Sequence, residues 1–174
     1  MRQVRIAMAQ MNATVGDLEG NTDKIIQGIQ KAKEKHVDIV TFPELAITGY
    51  PPQDLLLKPQ FLQDNRTILY RIIDETQGIT AIVGFVDQED DIYNAAAIIH
   101  HQQLLGIQRK VFLPNYGVFD ENRYFQAGVP KYIYQIGDVT FGVNICEDIW
   151  YPEGPMIIQV LSGADLILNI SASP

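Results

Sequence analysis

The spacing of hydrophobic residues in the first third of the chain alternates between about 2 and about 3.6 residues. Residues 4–10 alternate as a strand does, and residues 21–35 then place apolar side chains on one helical face, with Asn21 as the expected N-cap. Residues 39–42 form a short β-branched run that ends at Pro43, which predicts a second strand. The pattern therefore predicts a strand-helix-strand unit at the start of one continuous α/β domain.

The rest of the chain continues this mixture of helical and extended patterns. Residues 60–76 have helical spacing and end before Gly78, so they predict a second helix that covers the sheet. Three short apolar runs separated by polar turns predict an antiparallel meander, at residues 81–86, 95–100 and 104–108. The remaining predicted elements are a hairpin at Gly137-Asp138 between residues 131–136 and 139–145, a short helix over residues 156–162 and a strand over residues 166–170.

Composition and charge narrow the class of protein. The 174 residues are 47% hydrophobic and only 20% charged, which suits one folded domain, or a piece of one, and excludes a disordered chain. The net charge of −8, without any Lys/Arg-rich run, argues against nucleic acid as a partner. No apolar run is long enough to span a membrane, and the first ten residues do not resemble a signal peptide. The sole cysteine, Cys146, agrees with a reducing compartment, so we expect a cytoplasmic protein with no membrane partner.

Three polar residues stand at or just after the ends of predicted strands: Glu44, Lys110 and Cys146. In α/β sheets, these are the positions where ligands bind and catalytic groups cluster. A cysteine attacks as a thiolate, so it needs a base to take its proton and a cation to hold the resulting charge. Glu44 and Lys110 are a base and a cation, and the ammonium and the backbone N–H of Glu147 would also stabilise an oxyanion. If the sheet brings the three side chains together, they predict acyl transfer through a thioester.

Each of these residues also has a purely structural interpretation. Cys146 ends an apolar run and could be a small buried hydrophobe, while Glu44 could cap a surface turn. Lys110 could form an exposed basic pair with Arg109. The acidic residues within 87–91 are expected to form a solvated hairpin tip, to which we assign no function.

Other kinds of site find little support in the sequence. The three histidines, His36, His100 and His101, end a helix or a strand, which argues against a histidine-based triad. Neither G-x-x-x-x-G-K-[ST] nor G-x-G-x-x-G occurs, so the sequence predicts no nucleotide phosphate site in this chain. No paired His or Cys spacing predicts a metal site. We therefore expect no metal and no cofactor in this part of the protein.

The motifs around the three residues resemble those of the nitrilase, or carbon-nitrogen hydrolase, superfamily. FPEL, RKVFLPNYG and NICEDIW occur in that superfamily's order, and the resemblance extends over essentially the whole chain. It implies a four-layer α-β-β-α sandwich in which Glu44 is the general base, Lys110 stabilises the oxyanion and Cys146 is the nucleophile. Glu121, in FDENRYF, matches a further glutamate that the superfamily places beside this triad.

Longer motifs are similar to one branch of the superfamily, the amidase domain of the glutamine-dependent NAD synthetases. They are GYPPQDLLLKPQFL, LPNYGVFDENRYF and NICEDIW. The resemblance implies L-glutamine as the substrate, held by Tyr50, Tyr116, Glu147, Trp150 and Ser173. An acidic residue suits the α-ammonium of glutamine, and aromatic rings can exclude water around the amide. Relatives often carry Phe where Trp150 stands.

The same resemblance implies what the longer protein does. Ammonia released from glutamine would serve the ATP-dependent amidation of deamido-NAD in a second domain, which uses ATP and Mg²⁺ and whose Ser-Gly-Gly loop does not occur in this sequence. Because the chain ends at Pro174, directly after a predicted strand, we expect an incomplete hydrolase domain. Superfamily sandwiches commonly pack as dimers, so a homo-oligomer is expected. Two alternatives stay open: a stand-alone amidase for another small amide, and an inactive fragment that only oligomerises.

Overall fold

The computed structural model describes residues 3–130 and 132–172. The strands are β1 (Ile6–Met8), β2 (Ile39–Thr41), β3 (Thr80–Gln88), β4 (Ile92–His100), β5 (Gln103–Arg109), β6 (Tyr134–Ile136), β7 (Val139–Ile145) and β8 (Leu166–Ile170). The α-helices are α1 (Leu18–Glu34), α2 (Pro59–Asp74) and α3 (Pro155–Leu161), and short 3-10 turns lie at Gln53–Leu57, Glu121–Arg123 and Cys146–Ile149. Each predicted helix and strand is present, with its ends shifted by a few residues.

Two sheets organise the described part of the chain. The first has the order β1-β2-β3-β4-β5, in which β1, β2 and β3 are parallel and β3, β4 and β5 form the predicted antiparallel meander. In the second, β6 and β7 form the predicted hairpin and β8 lies parallel to β7. Helices α1 and α2 connect the parallel strands of the first sheet, as parallel crossovers require.

The central strands of the first sheet, β2, β3 and β4, are buried on both faces, which explains their continuous apolar runs. In β4, Ala95 and Ala97 pack against the core beneath α1 and α2, whereas Ala96 and Ile98 pack against the second sheet. Helix α3 lies on the other side of the second sheet, against β7. The order of layers is therefore helix, sheet, sheet, helix, and the predicted α-β-β-α sandwich is confirmed.

The start of α1 differs from the prediction. Asp17, not Asn21, is the N-cap, and its carboxylate accepts a hydrogen bond from Gly20 N–H. Asn21 lies buried inside the helix, where its amide binds both backbone groups of Thr14 and the carbonyl oxygen of Ile47. Both residue types favour N-caps, and the contacts across the fold decide between the two positions.

The acidic run after β3 is also less exposed than predicted. Asp87 is buried within the strand and accepts a hydrogen bond of 2.8 Å from Arg109 Nε. The Arg109 guanidinium lies 3.8 Å from the centre of the Tyr93 ring and also pairs with Glu89. The expectation of a solvated tip is therefore wrong for Asp87, because a cation from β5 neutralises it. The alternative of an exposed Arg109-Lys110 pair is wrong as well, since Lys110 is fully buried.

Within the described ranges, no helix is long and apolar enough to cross a membrane.

Candidate active site

Glu44 and Lys110 come into direct contact although they are distant in sequence. Glu44 follows β2 by three residues, and Lys110 directly follows β5. Lys110 Nζ donates hydrogen bonds of 2.7 Å to Glu44 Oε1 and 2.8 Å to Glu121 Oε1. All three side chains are buried, so two carboxylates and one ammonium meet away from solvent. The structural alternative of a surface turn at Glu44 is therefore wrong.

A glycine on the neighbouring strand allows Glu44 to reach this position. The segment after β2 lies close along β3, with Phe42 N–H donating to Ile82 O and Ile47 N–H donating to Gly84 O. A Cβ atom on Gly84 would lie 2.2 Å from Pro43 O and 2.5 Å from Leu45 N. Because both are backbone atoms, only glycine fits, and Gly84 is a supporting residue that the sequence did not identify.

Glu121 is held by several donors. Its Oε1 accepts hydrogen bonds from Lys110 and, at 3.0 Å, from the Tyr50 hydroxyl. Burial raises the pKa of Glu121 above its usual range, despite the nearby ammonium. Burial disfavours the Lys110 ammonium, but Glu44 and Glu121 outweigh that effect and raise the pKa of Lys110. Lys110 is therefore a cation at neutral pH.

Asn94, in β4, is a further member of the site that sequence reasoning missed. It is buried, and its Nδ2 donates to Glu44 Oε1 at 2.8 Å and to Glu121 Oε2 at 3.4 Å. Its backbone oxygen also accepts a hydrogen bond from Lys110 N–H. The signal in the sequence is an asparagine that begins an otherwise apolar run, NAAAII, because buried polar groups require partners.

Cys146 directly follows β7 and is the first residue of the 3-10 turn Cys146–Ile149. Its φ of 45° is in the left-handed region, which costs a non-glycine residue about 1–3 kcal/mol. The side chain is buried beneath the second sheet's end, where the Ser171 hydroxyl donates to Sγ at 3.3 Å. Strain at a single cysteine that directly follows a strand is a feature of functional positions.

The two residues after β8 join the cysteine to the carboxylate cluster. Ser171 contacts Cys146, and the next residue, Ala172, donates its backbone N–H to Glu44 Oε2 at 3.0 Å. Burial raises the pKa of the Tyr50 hydroxyl, and the charges of Glu121, Glu44 and Cys146 raise it further. Tyr50 therefore lies near both the carboxylate cluster and the cysteine. The ends of β2, β5, β7 and β8 therefore meet at one edge of the sandwich.

Asp148 holds the loop after Lys110 onto the turn that contains Cys146. Its Oδ1 accepts hydrogen bonds of 2.9 Å from the backbone N–H groups of Val111 and Phe112, and its Oδ2 accepts one of 3.1 Å from Ile145 N–H. Burial raises the pKa of Asp148 to about 6, although these three donors favour the ionised form. Asp148 therefore positions the loop after Lys110 against the turn at Cys146, a role that the sequence did not predict.

Of the predicted glutamine-binding residues, Tyr116 and Glu147 contact each other. Glu147 is buried and accepts hydrogen bonds from the Tyr116 hydroxyl, at 2.9 and 3.0 Å, and from the Tyr151 hydroxyl, at 3.2 Å. Tyr151 was not predicted. Trp150 is 74% exposed beside this group, so its role as a pocket wall stays a prediction. Ser173 lies outside the described residues.

The charged groups of the site contact each other, with the Lys110 ammonium bound to the carboxylates of Glu44 and Glu121. In the described part of the chain, no group of three or more His, Cys, Asp or Glu side chains is placed to hold a metal ion. Chemically, the site combines a carboxylate with several donors, a buried ammonium and a cysteine at a strained turn. This set can deprotonate a thiol and hold negative charge on an oxygen atom.

Comparisons with known proteins place the chain in a family. The carbon-nitrogen hydrolase family model matches residues 5–174. The glutamine-dependent NAD(+) synthetase of Thermotoga maritima is 45% identical over the whole chain, which covers 31% of that protein. The solved glutamine-dependent NAD+ synthetase of Acinetobacter baumannii, in complex with ADP, is 38% identical with a TM-score of 0.92, over 97% of this chain and 32% of that one. The chain thus spans about a third of the length of these relatives.

A more distant structure bears on the cysteine. An amidase variant from Nesterenkonia sp. AN1, with the acetamide moiety of fluoroacetamide covalently added at its active-site cysteine, is 25% identical with a TM-score of 0.83. The match covers 97% of this chain and 64% of the amidase. The similarity to the synthetases and to this amidase thus extends over nearly all of this chain. On the sequence match and the sandwich fold together, the chain belongs to the carbon-nitrogen hydrolase family.

Proposed function

We propose that this chain hydrolyses the side-chain amide of L-glutamine to glutamate and ammonia through a thioester at Cys146. The observation that carries the proposal is the buried Glu44-Lys110-Glu121 cluster, joined to Cys146 through Ser171 and Ala172. A base, a cation and a nucleophile at neighbouring strand ends are the groups that thiolate attack on an amide requires. Cys146, Glu44 and Lys110 are then the catalytic residues, and Glu121 supports them.

In the first half of the reaction, Glu44 takes the proton from Cys146 Sγ, and the thiolate attacks the carbonyl carbon of the amide. The oxygen of the tetrahedral intermediate carries a negative charge. An ammonium has three N–H groups, and two of those on Lys110 donate to Glu44 and Glu121, which leaves one to face that oxygen. The backbone N–H of Glu147, in the first turn after the cysteine, is the second donor.

In the second half, the intermediate collapses as the carbon-nitrogen bond breaks. The leaving nitrogen receives the proton that Glu44 holds and departs as ammonia, which leaves a γ-glutamyl thioester on Cys146. Glu44, again ionised, takes a proton from water, and the resulting hydroxide attacks the thioester carbon. The carbon-sulfur bond then breaks, and the departing thiolate takes the proton that Glu44 holds, which restores both the thiol and the ionised Glu44. Glutamate is released, and its new carboxyl group loses its proton to solvent.

Glutamine is the favoured substrate because of the group around Glu147. Its carboxylate is buried directly beside the cysteine and is held by the hydroxyls of Tyr116 and Tyr151, so it can receive the α-ammonium of an amino acid. The proposed pocket also includes Tyr50, Trp150 and Ser173. The 45% identity to a glutamine-dependent NAD(+) synthetase supports this choice over another small amide.

In the full-length protein, the ammonia would be consumed in the ATP-dependent amidation of deamido-NAD to NAD. This chain covers 31% of the Thermotoga relative, so a second domain with its ATP and Mg²⁺ sites is proposed to lie outside it. The present chain would then supply one part of a ligase, namely the hydrolysis that releases nitrogen from glutamine.

The test uses the full-length protein and a diazo-ketone analogue of glutamine, which alkylates a cysteine that attacks its carbonyl. Peptide mapping is expected to place the adduct on Cys146. In addition, Cys146→Ala should abolish NAD synthesis from glutamine while synthesis from free ammonium continues, since the ammonia-using domain is intact. The ammonium reaction is the internal control for folding.

Two results would overturn the proposal. An adduct on another residue, or equal loss of the glutamine and ammonium reactions in Cys146→Ala, would separate Cys146 from amide hydrolysis. If the protein instead hydrolyses a different small amide through Cys146 and leaves glutamine intact, the mechanism would stand while the choice of glutamine would be wrong. A defined oligomer that binds no glutamine analogue would favour a purely structural role.

A further inference from the structure

The two oxygen atoms of Glu44 have different surroundings. Oε1 accepts hydrogen bonds from Lys110 Nζ at 2.7 Å and from Asn94 Nδ2 at 2.8 Å. Oε2 accepts one from Ala172 N–H at 3.0 Å. A carboxylate oxygen has two lone pairs in its plane, so, counting only donors from residues 3–130 and 132–172, two donors fill Oε1 whereas Oε2 keeps one lone pair.

The residue that contacts Oε2 is the sequence neighbour of the residue that contacts the nucleophile. Ala172, which contacts Oε2, is preceded by Ser171, whose hydroxyl contacts Cys146 Sγ. Asn94 and Lys110 contact Oε1 from the first sheet, on the side of Glu121. The carboxylate is therefore oriented with Oε1 toward Asn94 and Lys110 and with Oε2 toward the backbone of Ala172, the residue after the one that contacts the thiol.

We propose that Asn94 is a positioning residue that fixes this orientation, so that Oε1 anchors Glu44 and Oε2 accepts the proton of Cys146. The inference rests on the proposed function, because it assigns a task within that reaction. Lys110 alone does not set the orientation, since an ammonium is a point charge that either oxygen can meet, whereas a planar amide in a strand has a fixed direction. By donating to Glu121 as well, Asn94 holds both carboxylates at once.

The ionised form of Glu44 depends on every charged group that faces it. In the described part of the chain, these groups are Lys110 from the end of β5, Glu121 from its 3-10 turn and Tyr50 from the loop after Glu44. Tyr50 also interacts with Cys146 at the end of β7. Asn94 is the neutral donor among them. A carboxylate at position 94 would remove a donor and add a negative charge, and both changes make Glu44 harder to ionise.

The experiment compares Asn94→Asp and Asn94→Ala with the control Asn65→Asp in the full-length protein. Asn65 is equally buried, in α2, and its side-chain amide forms hydrogen bonds with the backbone N–H and carbonyl oxygen of Val86. Two quantities are measured against pH: kcat/KM for glutamine hydrolysis, and the rate at which iodoacetamide alkylates Cys146, followed by peptide mass mapping. Thermal unfolding of each variant gives the folded fraction.

Asn94→Asp is expected to move the acid limb of both profiles to higher pH by about one unit or more. Asn94→Ala should lower kcat about ten- to a hundredfold, the effect of losing one hydrogen bond to a charged group, with KM changed less than about twofold. Asn65→Asp should keep the wild-type profiles, whatever it does to thermal stability. If Asn94→Asp does not fold, Asn94→Ser, one bond shorter, replaces it and should behave as Asn94→Ala does.

Unchanged pH profiles in the Asn94 variants, or a loss of activity that only follows the folded fraction, would overturn the inference. The alkylation profile keeps this outcome separate from failure of the proposed function. If the wild-type protein does not hydrolyse glutamine, the proposed function is wrong, and a shifted alkylation profile in Asn94→Asp would still show that Asn94 governs the base beside Cys146.

Discussion

Glu44, Lys110 and Glu121 form the floor of the candidate site, whereas Tyr116 and Tyr151 form its rim around Glu147. The floor residues are at most 4% exposed and are joined by ion pairs of 2.7 and 2.8 Å. In the rim, Tyr116 is 58% and Tyr151 is 38% exposed, and the polar contacts are hydroxyl-to-carboxylate hydrogen bonds. One region thus depends on charges that have no access to water, and the other on contacts that water can replace.

This difference sets the size of the effects that substitutions should have. Removing one member of a buried ion cluster leaves an uncompensated charge, which affects folding and chemistry together. Removing a partly exposed hydroxyl leaves its partner with water as a substitute, so only binding changes. The effects of substitutions in the floor should therefore be larger than those in the rim. Floor substitutions should alter both stability and catalysis, whereas rim substitutions should alter substrate binding.

The largest effect is expected for Lys110→Met, in the floor. The variant leaves Glu44 and Glu121 buried beside each other without the cation that both contact. We expect a loss of about 3–5 kcal/mol in the free energy of unfolding, together with loss of glutamine hydrolysis because the oxyanion has no ammonium. Calorimetry of the full-length protein and an ammonia-release assay measure the two quantities.

Lys31→Met is the matched control for this substitution, since Lys31 is exposed on α1. It removes the same charge and should change neither quantity measurably. If Lys110→Met were no less stable than Lys31→Met, the floor would not depend on its charges, and the contrast with the rim would fail.

An intermediate effect is expected for Asp148→Asn, because Asp148 connects the loop after Lys110 to the turn at Cys146. In the variant, one carboxylate oxygen is replaced by an amide NH₂, which faces either the N–H of Ile145 or the N–H groups of Val111 and Phe112. At least one of these backbone donors then has no acceptor. The expected cost is about 1–3 kcal/mol. Activity should fall less than in Lys110→Met.

The pH dependence of this cost has a definite sign. The folded-state pKa of Asp148 is about 6, and the ordinary value of an aspartate is about 3.9, so ionisation lowers wild-type stability as the pH rises between them. The stability advantage of wild type over Asp148→Asn should therefore be largest below about pH 4 and reach a smaller, constant value above about pH 6. The exposed Asp138→Asn is the control. An advantage that grows with pH would mean that the three backbone donors outweigh burial.

The sequence predicts the floor better than the rim, for a physical reason. Glu44, Lys110 and Cys146 each follow an apolar strand, and in α/β proteins functional groups cluster at such strand ends. Here β2 and β5 belong to the first sheet and β7 to the second, and the packing of the two sheets brings their ends to one edge. The same reasoning missed Asn94, which lies within a strand, and Ala172, which contributes only a backbone N–H that no side chain reveals. These contacts exist because the fold brings Asn94 of β4 and the segment after β8 to Glu44, which is distant from both in sequence.

Competition between equivalent local signals explains the other errors. Asp17 and Asn21 are both good N-caps, and the contacts of Asn21 with Thr14 and Ile47 decide that Asp17 takes this position. Asp87 lies in an acidic run typical of solvent, yet Arg109 from another strand neutralises it. Local propensity leaves such choices open, and only the partner across the fold settles them.

The smallest effect is expected for Tyr116→Phe, in the rim. The variant removes the hydroxyl that donates to Glu147 at 2.9 and 3.0 Å, but Tyr151 still donates to the same carboxylate. We expect KM for glutamine to rise about two- to tenfold, with kcat and thermal stability unchanged, because the lost hydroxyl contacts the carboxylate that is proposed to bind the α-ammonium and not the reacting amide. Tyr70→Phe is the matched control, since Tyr70 is 55% exposed on α2, close to the 58% of Tyr116. A fall in kcat without a rise in KM would place Tyr116 in the chemistry of Cys146, and the division between floor and rim would then have to be redrawn.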